Sequence, residues 1–246
     1  MKMSSLHFAF IFIAITFSIG QKHLKFYLHD FTWREIGKSV ENRPLQMAEI
    51  GNGHKKILLI GTIHGNEIGG KKLLELLCKH LHRNHDEYHG KRLLIIPVAN
   101  PDGFVRKTRG NSNGVDINRN FPTQDWNQQA VADKSPGPSA GSEPETLALI
   151  SVIETERPDV IISVHQPLEC INYDGPAEDL ANKLVETTGL PLMHDIGYRT
   201  PGSLGTYAGT ERNIPTVTIE LPWKINQKDM ERKYLQALLT VIRDFH

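Results

Sequence analysis

The chain has 246 residues, of which 39% are hydrophobic and 23% are charged. This composition is typical of a soluble globular protein and argues against a disordered chain. Lysine and arginine together number 28, as do aspartate and glutamate, so the formal net charge is zero. Nucleic-acid-binding proteins carry a basic stripe or patch, and none is visible here. We therefore predict a small or neutral partner and no nucleic acid.

The N-terminus has the pattern of a secretory signal. Lys2 precedes an apolar run at residues 6–19, and small residues follow at Ser18 and Gly20, where a signal peptidase would cut. The run is too short to span a bilayer comfortably. We predict a signal peptide over residues 1–20 and a secreted or periplasmic mature chain without a stable membrane span. A membrane tether is the alternative if the signal stays uncleaved.

The rest of the chain alternates between two kinds of segment, apolar runs and stretches of helical periodicity. The predicted strands are residues 56–62, 92–98, 159–164 and 216–221. The predicted helices are residues 69–83, 143–157, 177–188 and 227–245. Strands without polar alternation, separated by helices, indicate a single α/β domain whose sheet is covered on both faces. The loop at residues 122–144 is long enough to predict a functional role.

Three polar residues stand at or just past the ends of predicted strands, where α/β folds form their sites. They are His64, His165 and Glu220. Glu67 follows His64 by three residues, so an imidazole and a carboxylate can converge on one point. Catalytic zinc takes three protein ligands, and two histidines with one glutamate form an established set. The His-x-x-Glu spacing alone is a weak signal, because a turn with a surface glutamate has the same pattern.

The third ligand and the base have to come from the later strands. His165 ends an apolar strand, and a core histidine bonded to the backbone is the competing interpretation. Glu220 also ends an apolar strand, where a carboxylate is costly unless it is paired or used. Beside a zinc ion it would accept a proton from the metal-bound water and pass it to the leaving amine.

A second polar group surrounds residues 106–120. The guanidinium of Arg119 and the adjacent amide of Asn118 suit a carboxylate. Arg106 and Arg109 are candidates for stabilising an oxyanion. Surface charge on a loop is the alternative for all of them if the zinc ligands are absent.

These motifs, in this order, resemble those of the zinc carboxypeptidase family. The resemblance covers residues 56–222 and implies one zinc carboxypeptidase-like catalytic domain over residues 21–246. It also implies a mixed, mostly parallel eight-stranded sheet with helices on both faces. The segments that carry it are residues 64–67 (HGNE), 100–103 (NPDG), 106–109 (RKTR), 114–120 (GVDINRN), 163–165 (SVH) and 219–220 (IE).

The same resemblance implies a set of roles. One Zn²⁺ would be held by His64, Glu67 and His165, with Glu220 as the general base. Asn118 and Arg119 would bind the terminal carboxylate of the substrate.

Three further residues match positions of family members. Tyr198 matches their mobile substrate-binding tyrosine. Arg106 matches the oxyanion arginine of the digestive members, whereas Arg109 matches the single arginine of members that act on murein. The two arginines therefore remain alternatives.

Four segments resemble the family members that act on murein peptides. They are residues 114–122 (GVDINRNFP), 141–146 (GSEPET), 165–171 (HQPLECI) and 197–203 (GYRTPGS). This likeness implies hydrolysis of the bond between γ-D-glutamate and meso-diaminopimelate in peptidoglycan, in a peptide with a free C-terminal carboxylate. The implied mechanism is attack by a zinc-bound water with the assistance of Glu220.

Other functions compete with this one. A general metallocarboxypeptidase would use the same residues. A deacylase similar to aspartoacylase or succinylglutamate desuccinylase would share the HGNE turn and the Asn-Arg pair, but the NPDG turn and the spacing from Tyr198 to Glu220 disfavour it. A wall-binding module without catalysis is the non-enzyme alternative, and the complete set of ligands and base argues against it.

The histidines and the cysteines each allow a structural interpretation beside a functional one. The histidine cluster His80, His82, His85 and His89 favours a solvated helix end over a second metal site. Cys78 and Cys170 are compatible with either a disulfide or two buried thiols.

Overall fold

A β-sheet of seven strands lies at the centre of the computed structural model, which describes residues 31–129 and 134–245. The strands are β1 (Thr32–Lys38), β2 (Pro44–Ile50), β3 (Lys55–Gly61), β4 (Lys91–Ile96), β5 (Val160–His165), β6 (Cys170–Asp174) and β7 (Thr216–Glu220). Their order is β1-β2-β4-β3-β5-β7-β6. The inner strands β4, β3, β5 and β7 are parallel, and the outer strands pair antiparallel, so the sheet is mixed as predicted.

The expected eighth strand is not among the described residues. Beyond the edge strand β6, only one isolated bridge forms, between Ile171 and Leu192. Next to this bridge, the side-chain amide of Asn172 donates to the Met193 carbonyl at 2.7 Å.

Helices cover both faces of the sheet. They are α1 (Gly69–Leu81), α2 (Pro101–Arg106), α3 (Pro144–Glu156), α4 (Glu178–Thr188), α5 (Gln227–Asp229) and α6 (Gln236–Asp244). Short 3₁₀ helices lie at His85–Tyr88 and Ile117–Arg119, and π-helical stretches lie at Gly205–Thr210 and Met230–Leu235. The four predicted helices are present, with the last one interrupted by the second π-helical stretch. Among the described residues, no helix has the length and apolar character that crossing a bilayer requires.

The core consists of two layers, one on each face of the sheet. Ile57 and Leu59 of β3 face the layer formed with α1, α4 and α6, whereas Leu58 and Ile60 face the layer formed with α3. Alternate residues of a strand point to opposite faces, so an uninterrupted apolar run is what a doubly covered strand requires. Both cysteines, Cys78 and Cys170, are buried free thiols.

The parallel strands end along one edge of the sheet, and this edge carries the polar residues identified from sequence. Val164 lies opposite Gly61, and His165 lies opposite Glu220. The strand register therefore places the turn after β3 beside the ends of β5 and β7. The predicted signal peptide at residues 1–20 lies outside the described residues.

Candidate metal centre and active-site cleft

The turn after β3 is held in a fixed shape that carries His64 and Glu67. Ala99 N donates to the Gly61 carbonyl at 3.0 Å, which fixes the turn against the end of β4. Gly65 lies so close to the backbone of Gly103 that a Cβ at position 65 would overlap it. Only glycine allows that approach, so the turn itself explains the Gly of the HGNE motif.

The three predicted metal ligands meet at the edge of the sheet. His64 Nδ1 lies 2.8 Å from Glu67 Oε1, and His165 Nδ1 lies 3.0 Å from Glu67 Oε2. The two Nδ1 atoms lie 3.0 Å from each other. All three side chains are buried, and they form the only group of potential metal ligands found among the described residues. The histidines near the C-terminus of α1 do not form such a group among the described residues.

This donor set fits a zinc ion. Tetrahedral zinc with bonds of roughly 2.0–2.1 Å separates its ligand atoms by about 3.3 Å, close to the spacing seen here. Two imidazole lone pairs that face each other repel unless a proton or a cation lies between them. Burial lowers the pKa of His64, but the carboxylates of Asp116 and Glu67 outweigh it and raise that pKa to about 9. The field that favours a proton there also favours a metal cation.

Asp116 supports the metal ligands from behind and had no role assigned from sequence. Its Oδ1 lies 3.0 Å from His64 Nε2, and its Oδ2 accepts from Arg109 Nε at 2.9 Å. Asp116 is buried, and burial raises its pKa, but His64 and Arg109 outweigh this and hold the pKa well below its usual range. A carboxylate that holds the far nitrogen of a ligating histidine fixes its tautomer and orientation. The sequence could have indicated a role for Asp116, because this residue lies inside the GVDINRN motif.

Glu220 lies beside the three ligands at the end of β7. The backbone N–H of Leu168 donates to its Oε2 at 3.3 Å. Burial raises the pKa of Glu220, and the nearby Glu67 carboxylate acts in the same direction, whereas His165 opposes it. A carboxylate with a raised pKa in a cleft is suited to accept and release a proton.

The structure separates the two candidate arginines. Arg109 reaches into the cleft, where its Nη1 lies 3.3 Å from Glu67 Oε1. Arg106 instead forms an ion pair with Glu41 and is half-exposed. Of the two predicted oxyanion candidates, only Arg109 lies at the site.

Asn118 and Arg119 line the same cleft, as predicted. Asn118 Oδ1 accepts from Leu204 N at 2.8 Å, which leaves its Nδ2 as the atom that a ligand can reach. Arg119 is 3% exposed, and its Nε has no hydrogen-bond partner among the described residues. Burial lowers the pKa of this guanidinium and the charge of Arg109 adds to that effect, against the opposing charge of Asp116. A buried cation in this position gains most from an anionic ligand.

Tyr198 covers the cleft near Arg119. The Arg119 guanidinium lies 6.0 Å from the centre of the Tyr198 ring. Lys134, on the long loop, places its Nζ 3.7 Å from the same ring centre. A second link between these loops is the hydrogen bond from Gly202 N to Thr123 Oγ1 at 3.1 Å. The predicted functional loop at residues 122–144 therefore helps to hold the segment that carries Tyr198.

Asp174 at the end of β6 is a cleft residue that sequence reasoning missed. Burial raises the pKa of its carboxyl group, and none of the described residues donates a hydrogen bond to it. Gly205 makes room for it, because a Cβ at position 205 would overlap the carboxylate. The cleft thus holds a cation at Arg119 and an acidic group at Asp174.

Known proteins are similar to this chain in sequence and fold. A model of the zinc carboxypeptidase family matches residues 30–183. Murein peptide amidase A of Vibrio campbellii is 35% identical over 225 residues, which cover 84% of this chain and 86% of the relative. Murein peptide amidase A of Escherichia coli K12 is 32% identical over 221 residues, with 84% and 88% covered.

Solved structures agree with this relationship. The crystal structure of murein-tripeptide amidase from Escherichia coli O157 matches with a TM-score of 0.71 and 28% identity, covering 87% of this chain and 92% of that one. Thrombin activatable fibrinolysis inhibitor matches with a TM-score of 0.77 at 18% identity, over 90% and 73% of the two chains, which shows the fold alone. With its family motif, its fold and its buried His-Glu-His ligand set, the chain belongs to the zinc carboxypeptidase family and is a metallopeptidase.

Proposed function

We propose that this metallopeptidase hydrolyses the bond between γ-D-glutamate and meso-diaminopimelate in murein peptides. The observation that carries the proposal is the pair of opposite charges in the cleft, Arg119 and Asp174. Diaminopimelate in such a peptide has a free carboxylate at the scissile end, and the far end of its side chain carries an ammonium group together with a second carboxylate. The names of the curated relatives, murein peptide amidase A, point to the same class of substrate.

The terminal carboxylate would bind to Arg119 and to Nδ2 of Asn118. The unpartnered Nε of Arg119 offers a charge-assisted hydrogen bond, which is stronger than a neutral one. Tyr198 lies over this guanidinium and would limit access of water to the bound carboxylate. The distal ammonium would meet Asp174, whose carboxylate gains a partner that the folded chain does not supply.

Chemistry at the scissile bond would be carried by residues on the other side of the cleft. A zinc ion bound at His64, Glu67 and His165 would supply a Lewis acid that activates water and polarises the carbonyl. Glu220 would accept the proton from the attacking water and deliver it to the leaving amine. Arg109, beside Glu67, would stabilise the negative charge that develops on the carbonyl oxygen.

A peptide comparison tests the substrate. L-Ala-γ-D-Glu-meso-diaminopimelate is incubated with zinc-loaded protein, and products are followed by mass spectrometry. We expect release of free diaminopimelate. The α-linked peptide L-Ala-L-Glu-L-Lys is the matched comparison, since it keeps a distal ammonium but lacks the γ-linkage and the second carboxylate. Faster release of lysine than of diaminopimelate would assign the protein to general carboxypeptidases instead.

We also propose that residues 1–20 are a secretory signal and that the protein acts on wall peptides outside the cytoplasm. The order of Lys2, the apolar run and the small residues supports this. Mass spectrometry of the protein recovered from its host tests it. A chain that begins near Gln21 is the expected result, and an intact N-terminus in a cytoplasmic fraction would exclude secretion.

A further inference from the structure

Gln166 follows the zinc ligand His165 directly and takes no part in the proposed chemistry. It is 5% exposed, and its backbone N–H donates to Glu67 Oε2 at 3.1 Å. Its side-chain amide is also fully used. Oε1 accepts from Gly69 N at 2.8 Å, and Nε2 donates to the Pro222 carbonyl at 2.7 Å and to the Trp223 carbonyl at 3.3 Å.

These hydrogen bonds join the three segments that carry the chemistry. Gly69 lies two residues after the ligand Glu67, and Pro222 lies two residues after Glu220. Gln166 itself extends the strand that ends at His165. One buried amide therefore connects the turn of the first two ligands, the third ligand and the segment that follows the base.

The chain is shaped to admit this amide. A Cβ on Gly69 would lie 2.8 Å from both Cδ and Oε1 of Gln166. The φ angle of Gly69 is not in the left-handed region, so a larger residue at this position is opposed by side-chain contacts alone, and the Gln166 amide is the group that it would displace first.

We propose that Gln166 is a positioning residue that sets the separation between the zinc ligands and the Glu220 carboxylate. It does not touch the substrate carboxylate, which binds at the opposite side of the cleft in the proposed complex. Its loss would therefore change zinc binding and the rate of the chemical step more than substrate binding. The backbone N–H that contacts Glu67 stays in every variant, so the effect would act through the segments that the side-chain amide joins. The loss of a direct outer partner of a metal ligand, about 10–100-fold in metal affinity or activity, gives the scale of the effect.

Two substitutions of similar size test the role. Gln166→Met keeps the length of the side chain and removes all three of its hydrogen bonds. Gln166→Glu keeps the acceptor for Gly69 N but turns an oxygen towards the carbonyls of Pro222 and Trp223. We expect both to lower kcat per bound zinc by about 10–100-fold and to raise the zinc dissociation constant, while KM changes by less than about 3-fold. Gln166→Glu should have the larger effect because its charge faces carbonyl oxygens.

Gly69→Ala displaces the same amide by a second route. Alanine favours helix formation at the start of α1, so this variant should fold with unchanged or higher thermal stability. We nevertheless expect kcat to fall in the same direction as in Gln166→Met. A variant that is stable but slow separates positioning from a general contribution to folding.

Gln236→Met, on the exposed face of α6, is the matched control and should leave all three quantities unchanged. The zinc dissociation constant, measured by competition with a chromophoric chelator, needs no substrate, so it tests this inference even if the murein peptide proves wrong. Unchanged zinc affinity and unchanged kcat in both Gln166→Met and Gly69→Ala would overturn the proposal. A rise in KM without a loss of kcat would overturn it as well.

Discussion

Asp116→Asn tests whether the metal ligands depend on the carboxylate behind them. The substitution keeps the size and shape of the side chain but removes its charge. In the folded protein both oxygens face donors, since Oδ1 lies against His64 Nε2 and Oδ2 accepts from Arg109 Nε. Asn118 N also donates to Oδ1 at 2.9 Å. An asparagine has one oxygen, so it can accept from the His64 side or from the Arg109 side. Its Nδ2 group would face a donor on the remaining side.

The size of the effect follows from that count. On one side of the asparagine, a charge-assisted hydrogen bond worth about 1.5–3 kcal/mol is lost. On the other side the hydrogen bond remains, but its acceptor is a neutral amide oxygen and no longer a carboxylate. Because Arg109 can turn towards Glu67 and solvent, part of this loss is recovered. We expect the zinc dissociation constant to rise by about 10–100-fold, which is the usual cost of removing an outer partner of a metal ligand. This corresponds to about 1.4–2.8 kcal/mol of zinc binding energy.

The assay is equilibrium competition for Zn²⁺ between the protein and a chelator of known affinity, at fixed pH. Asp86→Asn, an exposed aspartate in the 3₁₀ helix His85–Tyr88, is the control for the loss of one negative charge. If Asp116→Asn and Asp86→Asn bind zinc with the same affinity, the carboxylate does not support the ligands and the reasoning fails.

Three further predictions concern the cleft. Glu220→Gln should retain zinc while kcat falls by about 10²–10⁴-fold, because the base is lost and the ligands are not; turnover near the wild-type rate would exclude Glu220 as the base. Arg119→Lys should raise KM for the murein tripeptide by about 10–100-fold with a smaller change in kcat, since an ammonium group cannot form the bidentate pair with a carboxylate. Steady-state kinetics in which kcat falls more than KM rises would contradict a carboxylate-binding role for Arg119. Asp174→Asn should raise KM for the tripeptide by about 10-fold and remove its dependence on acid pH. Burial raises the pKa of Asp174, so the carboxylate protonates at a higher pH than an exposed aspartate, and KM of the wild type should rise as pH falls through that pKa. A pH profile of KM that is identical in the two proteins would show that Asp174 does not bind the ammonium group.

The inner strands could be predicted from sequence because burial on both faces leaves a continuous apolar run. The segments β3, β4 and β5 contain such a run, whereas β7 alternates threonine with apolar residues, and the ends of β3, β5 and β7 located the site. The outer strands β1, β2 and β6 were missed. Edge strands expose one side to solvent, so β1, which contains Trp33, Arg34 and Glu35, has a composition that a loop could share.

The short helix α2 was also missed, although its start signal is clear. Asn100 caps it by accepting from Gly103 N at 2.8 Å, and Pro101 occupies its first turn. With only six residues and a glycine inside, it has too little length for periodicity to appear. It is nevertheless important to the site, because Gly103 packs against Gly65 and so fixes the turn that carries His64.

The metal ligands could be identified from sequence because short-range spacing and order along the chain define them. The choice between Arg106 and Arg109 could not be made from sequence. The two arginines are only three positions apart, and tertiary contacts alone set which side chain turns into the cleft. In the fold, Arg106 forms an ion pair with Glu41 on the loop between β1 and β2. Arg109 instead forms ion pairs with Glu67 and Asp116, which hold its side chain in the cleft.

Asp174 could not be predicted from sequence, because the fold alone brings its carboxylate into the cleft. Its carboxylate enters the cleft because β6 pairs antiparallel with β7 and because Gly205 and Gly209 leave room beside it. No local motif encodes that combination. Arg119 is buried and Asp174 is partly buried, neither has a matching charge bonded to it, and each has a pKa shifted in the direction that burial dictates. Such groups destabilise the free protein, and a ligand that brings a carboxylate to Arg119 and an ammonium group to Asp174 would offset both costs at once. In the proposed function, the metal ligands would define the reaction, and the two opposite charges in the cleft would select the kind of residue that the reaction releases.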